Sequence, residues 1–259
     1  MKNRSVQIAF LASLLVASCV VLADDSGDRE SEWLPPPVPR ENLPDAPATA
    51  QELLDECRAK MPRNPVKLAG WVRYRRPGGI VDKECNFAAL LRWGDEVPSV
   101  HYEFTDGAGK LLSQVTFRHA TTPTEVVYEI GPEREPAEPP AWNESILGMD
   151  VTWLDISLDF LHWENATITG EATVRGRLCD LVEIYPPNPL PGCAKVRLWV
   201  DREIKMFLQA QQVDENKLIR RQMWVRSVKK MGETWMVQDI EVQTRNGGHR
   251  TRVHVLSCE

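Results

Sequence analysis

The chain lacks the usual signatures of catalysis. It has no G-x-S-x-G elbow, no phosphate-binding loop and no dinucleotide glycine fingerprint. Its cysteines form no C-x-x-C pair and no Cys/His knuckle, which counts against zinc and thiol-redox chemistry. His249 and His254, five apart on a strand, fall on opposite faces and do not make a metal pair. His162 and Glu164, two apart, do not converge on a helix. His101 and His119 sit alone in strand-like runs and read as surface or hydrogen-bonded histidines. Carboxylates are plentiful, but no spacing singles out a catalytic pair. The sequence therefore reads as a non-enzyme without cofactor or metal, and the sequons at Asn143 and Asn165 read as loop polarity. Long hydrophobic runs are also missing after residue 22, so no later segment is expected to cross a membrane as a helix.

What stands at the start is an export pattern. Lys2 and Arg4 precede the apolar stretch Ile8 to Leu22, and small residues follow. Val21-Leu22-Ala23 fits ordinary signal cleavage before Asp24. Val16-Ala17-Ser18-Cys19 fits a lipobox, which would leave Cys19 lipid-anchored. The apolar residues Val20 to Leu22 favour the first, so residues 1–23 are read as a signal peptide and the mature protein as periplasmic. Cleavage shifts the formal charge from −6 to −8, and so acidic a chain is a poor candidate for nonspecific nucleic-acid binding. Residues 24–48, with seven acids, two bases and prolines at 35–37, 39, 44 and 47, read as a disordered acidic linker. The five cysteines left after cleavage, Cys57, Cys85, Cys179, Cys193 and Cys258, are odd in number, so one is free or pairs between chains. A regular hairpin would set Cys179 opposite about residue 199 rather than opposite Cys193.

The domain, residues 49–259, opens with a helix. Thr49 and Glu52 have capping-box spacing, Ala50, Leu53, Leu54, Cys57 and Met61 share one face, and Pro62 and Pro65 end it. Strand-like runs follow at 66–75, 80–93, 100–105, 111–119 and 125–130, before a proline-rich loop at 132–140. From Ala194 to Leu256 five apolar/polar alternating runs succeed one another, joined by turns at Asp201-Arg202-Glu203, Asp214-Glu215-Asn216, Met231-Gly232-Glu233 and Asn246-Gly247-Gly248. So long an antiparallel meander must curl, and a curled sheet makes a trough that apolar matter has to fill.

The wording of these strands carries a resemblance. Lys195 to Asp201, Phe207 to Ala210, Trp235 to Val242 and Gly248 to Thr251, with Gly148 to Phe160 and Arg175 to Cys179 upstream, resemble the LolA-like lipoprotein-sorting family over roughly residues 50 to 259. The alternating runs and short turns predict a mainly β (α+β) fold, a curled antiparallel sheet of roughly eleven strands, and the resemblance implies that it forms an incomplete β-barrel filled or lidded by two helices. It also implies a cavity for acyl chains and a gating arginine, for which Arg73, Arg92, Arg175 and Arg226 are open alternatives.

A second helix is expected over Thr152 to Trp163. Trp153, Ile156, Phe160 and Trp163 make one apolar stripe and Leu154, Leu158 and Leu161 another, leaving only Asp155, Asp159 and His162 as a polar face. Such a helix is covered on two sides, as core or as a lid over ligand. Taken as a lid, its ligand-contacting residues are Trp153, Leu154, Ile156, Leu158, Phe160 and Trp163. The leading expectation is an exported, non-enzymatic carrier that shields acyl chains of lipoproteins or another amphiphile and hands them to an inner- or outer-membrane partner protein. The alternative is an envelope sensor or scaffold using the same fold to bind protein. A lipid cavity favours the first and a full, dry core the second.

Overall fold

Period-two alternation is realised as one antiparallel sheet of thirteen strands in the computed structural model, which describes residues 40–231, 234–245 and 248–259. The expected signal peptide, with the choice between Ala23 and Cys19, lies outside the described residues. So do linker residues 24–39 and parts of the turns expected after Met231 and Asn246. Of the linker, Arg40–Asn42 forms a single 3-10 turn.

The described chain continues with α1 (Ala50–Ala59), then β1 (Val66–Arg75), β2 (Val81–Arg92), β3 (Ser99–Thr105), β4 (Leu111–Arg118), β5 (Glu125–Ile130) and β6 (Glu135–Ala137). A connection containing α2 (Trp153–Ser157) leads to β7 (Asn165–Val174), β8 (Arg177–Tyr185), β9 (Lys195–Asp201) and β10 (Phe207–Val213). Three long strands finish it: β11 (Ile219–Met231), β12 (Thr234–Thr244) and β13 (Arg250–Cys258). The spatial order is β6-β5-β4-β3-β2-β1-β13-β12-β11-β10-β9-β8-β7. The first strand thus pairs with the last, joining two meanders at the centre and leaving β6 and β7 as edges. The sheet is an incomplete barrel with two α-helices.

Thirteen strands exceed the eleven or so expected. One extra strand, β6, lies inside the proline-rich loop; it is three residues long and carries Pro136, which blunts the edge against further pairing. The β7–β8 hairpin turns at Arg175-Gly176, both at positive φ (49° and 80°). Its first strand, with exposed Asn165, Thr167, Thr169 and Glu171, has too few apolar residues to give a strong alternation signal. Across β8–β9, Cys179 faces Asp201, two residues beyond the expected partner. Cys57, Cys85, Cys179 and Cys193 are buried free thiols, and burial pushes each up to about 12, which keeps them protonated and inert.

α1 has the anticipated capping box: the Glu52 N–H donates to the Thr49 hydroxyl and the Thr49 N–H to the Glu52 carboxylate, both at 3.1 Å. Ala50, Leu53, Leu54 and Cys57 are its buried face, and the helix packs against β7 and the helical turn after α2.

The segment expected as one helix over residues 152–163 is broken. α2 ends at Ser157, Leu158 turns left-handed (φ 54°, ψ 25°), and Asp159–His162 forms a separate 3-10 turn. The Ser157 hydroxyl donates to the Leu154 carbonyl and accepts the Asp159 N–H at 3.2 Å, which ends the helix from within. The change of direction also takes Asp159 to partners: Thr124 donates to its carboxylate, and the Trp163 indole donates at 2.8 Å. A buried carboxylate without such partners would be costly.

Register sorts the strand ends into two rims. One rim collects the start of β1 with the ends of β2 and β13, the turn from β9 to β10, and the start of β12. The opposite rim is tied shut by Asp150, whose backbone N–H donates to the Thr251 hydroxyl at 2.8 Å. Its carboxylate accepts from Thr251 and Thr244 at 3.1 and 3.0 Å.

Candidate functional site

Between the two meanders and beneath the helices lies a cavity of about 680 Å³. Its wall is built from the inward positions of alternating strands. Leu68 and Val72 come from β1, Phe87 and Leu91 from β2, Phe104 from β3, Met223 from β11, Ile240 from β12, and Val253 and Val255 from β13. Within β1, β2 and β13 these residues are an even number of positions apart, so they share one face of the sheet. Ile146, Val151 and Asp155 line its other side, contributed by the connection and α2.

The open rim supplies the rest of the lining. Lys60 to Asn64 follow α1, Trp93 follows β2, Glu203 to Met206 lie in the β9–β10 turn with Phe207 opening β10, and Trp235 to Gln238 lie at the start of β12. At this rim the sheet itself parts. The β12–β13 ladder runs from Val242/Thr251 to Asp239/His254. Beyond it, among the described residues, the start of β12 pairs only with β11, while the end of β13 pairs with β1. Opposite the consecutive residues Ser227 and Val228, β12 presents Asp239 and Val237, so Gln238 is the extra residue of a bulge. A bulge re-aims a side chain, and both Val237 and Gln238 reach the cavity wall. Gln238 is 7% exposed, and its side-chain oxygen has no hydrogen-bond partner among the described residues.

The charged lining groups differ in whether they are paired. Asp155 is buried and accepts from the backbone and hydroxyl of Thr152 at 2.8 Å, with Arg221 at 3.3 Å. Burial raises its carboxyl above the ordinary range, opposed by the Arg221 cation and the Thr152 hydrogen bonds. Glu203 is held by Arg177 at 2.7 Å and Lys205 by Glu56 at 2.8 Å. Lys60 and Arg63 are exposed and have no carboxylate within 4.0 Å among the described residues.

Of the six residues expected to contact ligand, the structure places Ile156 and Leu158 on the cavity wall, with Leu161 beside them. Trp153, Leu154, Phe160 and Trp163 are buried but are not part of that wall. Trp153 packs edge-on against Phe104 and Tyr128, with centroids 5.9 and 5.4 Å apart, and Phe160 edge-on against Phe207 at 5.9 Å. The division follows neither stripe: within the regular turn of α2 Trp153 is off the wall and Ile156 on it, and after the left-handed turn Leu158 and Leu161 reach the wall while Phe160 and Trp163 do not. Tyr102, which the sequence did not single out, lines the cavity and donates to the Ile156 carbonyl at 3.1 Å. It fastens the C-terminal end of α2 to β3.

None of the four arginines considered for gating lines the cavity. Arg73 pairs with Glu84 at 2.5 Å and lies over Trp71, Arg92 is exposed near Asp95, Arg175 donates to the Arg226 carbonyl, and Arg226 pairs with Glu241 at 2.5 Å.

Beside the open rim, His119 is the hydrogen-bonded rather than the surface histidine of the two alternatives, and it does not sit alone. It lies just past β4 with its side chain 1% exposed, stacked on His162 with ring centroids 4.0 Å apart and planes 9° apart. Trp93 stacks on both. His119 Nδ1 is 3.0 Å from the Thr124 hydroxyl and 3.6 Å from Asp159. Burial lowers the His162 pKa to about 3, reinforced by His119 and Arg58 and opposed by Asp159. Asp159 is in turn lowered: burial raises it, but His119 3.6 Å away and the hydrogen bonds from Thr124 and Trp163 outweigh that. Nothing in the spacing of His119 and His162, 43 positions apart, signals the pairing, which depends on how the connection folds back onto the sheet. His254 instead bonds Asp239 at 2.7 Å. Among the described residues no group of three or more His, Cys, Asp and Glu side chains is placed to hold a metal ion.

Comparison with known proteins points to the architecture. A family profile described as "Uncharacterized protein" matches residues 139–259, from before α2 to the end of β13. No curated protein sequence matches the chain. Among solved structures, a DUF1329 family protein from Desulfovibrio piger is 15% identical, with a TM-score of 0.68 over 81% of this chain and 90% of that one. A putative outer membrane lipoprotein-sorting protein domain from Vibrio parahaemolyticus is 11% identical, with a TM-score of 0.68 over 81% and 91%. A LolA superfamily protein from Nitrosomonas europaea is 13% identical, with a TM-score of 0.65 over 82% and 94%. The fold is therefore shared with LolA-type lipoprotein-sorting structures, in line with the resemblance carried by the strands.

Proposed function

We propose, from that shared fold, that the protein is an exported, non-enzymatic carrier whose cavity shields the acyl chain of a lipoprotein or another amphiphile. The observation that carries this reading is the apolar cavity of about 680 Å³ opening at one rim. A volume of this size falls within the range of small-molecule sites, and strand side chains there replace water around an inserted chain. Ile156 and Leu158 are the proposed ligand contacts from the α2 segment. Trp153, Leu154, Phe160 and Trp163 support them from behind, as the backing of a lid. The left-handed turn at Leu158 offers the place where that lid bends, and a membrane partner protein would favour the bent state by binding it more tightly. The sensor or scaffold alternative draws support from a filled core, and the cavity favours the carrier instead.

The test is mass spectrometry of lipid extracted from the protein purified out of its native envelope. Acyl species should copurify in near-stoichiometric amount. A protein isolated free of amphiphile, yet bound to another envelope protein, would favour the sensor reading instead.

A further inference from the structure

We propose that the open rim of the cavity is an anionic headgroup site, in which Lys60 and Arg63 receive a phosphate or carboxylate while the tail enters the apolar interior. This deepens the carrier reading and rests on it. Among the described residues five charged side chains line the cavity, and three are paired within the protein: Asp155 with Arg221, Glu203 with Arg177 and Lys205 with Glu56. The two left without a carboxylate partner among the described residues, Lys60 and Arg63, are both positive and both exposed. Their sign runs against the chain as a whole, whose formal charge is −6.

Their position is also fixed. Lys60 is the C-terminal cap of α1, its N–H bonded to carbonyls of the last turn. The backbone at Arg63 packs directly on Gly94, where an added Cβ would stand 2.0 Å from the Arg63 carbonyl oxygen. Gly94 follows Trp93, itself part of the wall. The loop bearing Arg63 is thus seated against the sheet by a contact only glycine permits.

A second observation at the same rim points to a polar ligand group. Gln238, brought to the wall by its bulge, is 7% exposed and its side-chain oxygen is unpartnered. A buried carboxamide is costly without a partner, and it can turn either its oxygen or its N–H toward a head. An apolar ligand alone would leave it unsatisfied.

The experiment compares three amphiphiles with one tail and different heads: dodecyl phosphate, dodecanol and dodecyltrimethylammonium. Binding to the full mature chain is measured by calorimetry at low salt and below micelle formation. The expected order is phosphate over alcohol over ammonium. Raising the salt should weaken the phosphate and leave the alcohol unchanged, because only exposed charge is screened. The double variant Lys60→Gln/Arg63→Gln should lower dodecyl phosphate affinity by about twofold to thirtyfold, the span for two exposed ion pairs, with dodecanol unaffected. Lys60→Glu/Arg63→Glu should reverse the preference toward ammonium, and dodecanol binding reports that each variant keeps its cavity. Equal affinity for all three heads would overturn the headgroup site while leaving the carrier reading intact. Failure of all three to bind would overturn both.

Discussion

A buried aromatic side chain and a cavity-lining aliphatic one respond differently to truncation, because only the first leaves a void that the folded protein alone must tolerate. Trp153 is 4% exposed and wedged between Phe104 and Tyr128. Leu158 is half-buried and already borders empty space. Trp153→Ala is therefore expected to cost about 3–5 kcal/mol of stability, the range for large aromatic truncations in cores. Leu158→Ala should cost much less and should instead weaken binding of a dodecyl chain. Denaturant midpoints and binding measured on the same preparations separate the two. If Leu158→Ala binds like the parent while Trp153→Ala folds normally but loses binding, the assignment of wall and backing is reversed. Residue type alone did not reveal this division. Both residues lie in the same apolar stretch, and which of them meets the cavity depends on how the connection packs beneath the sheet, including a left-handed turn at Leu158 that no glycine or asparagine announces.

At the scale of elements, the 3-10 turn Asp159–His162 is held between α1 and the end of β4. Arg58 of α1 donates to the Leu161 carbonyl, and His119 stacks on His162 from the other side. This clamp is expected to respond to pH. His162 has an ordinary value of 6.5 and is lowered to about 3 in the fold, so between those values the unfolded chain holds a proton that the folded chain does not. Stability is then fully present above about pH 6.5 and declines as pH falls toward 3. Asp159 has the same direction at still lower pH, since its lowered carboxyl is lost as a partner only on protonation. The expected outcome is a urea midpoint that falls from pH 7 to pH 4 in the parent and falls less steeply in His162→Gln. Parallel profiles for parent and variant would show that His162 does not carry the effect. The titratable and charged groups facing His162, namely His119, Arg58 and Asp159, remain in the variant, so the comparison isolates the one imidazole.

For the whole molecule, sheet topology decides where the cavity opens. Alternation from Ala194 to Leu256 and again from Val66 to Ile130 made the curled antiparallel sheet legible, and the strand wording made its LolA-type architecture legible. The hairpin of β7 and β8 was faint because β7 is an edge strand with many exposed polar positions. The rim could not be read at all. Its members, near residues 60, 93, 205 and 237, come from four separate connections and strand ends, and they meet only because β1 pairs with β13. Local pattern fixes which face of a strand is buried, whereas non-local pairing fixes which strand ends become neighbours.

The central claim, that the interior holds an acyl chain, is tested most directly by the dependence of affinity on chain length. With one phosphate head and tails lengthened one methylene at a time, each added group that enters the cavity should strengthen binding by ~0.8 kcal/mol, or about fourfold. The gain should continue until the cavity is filled and then stop. Affinities that rise steeply and reach a plateau are the predicted result. Affinities indifferent to tail length, in a protein shown to be folded, would contradict the account.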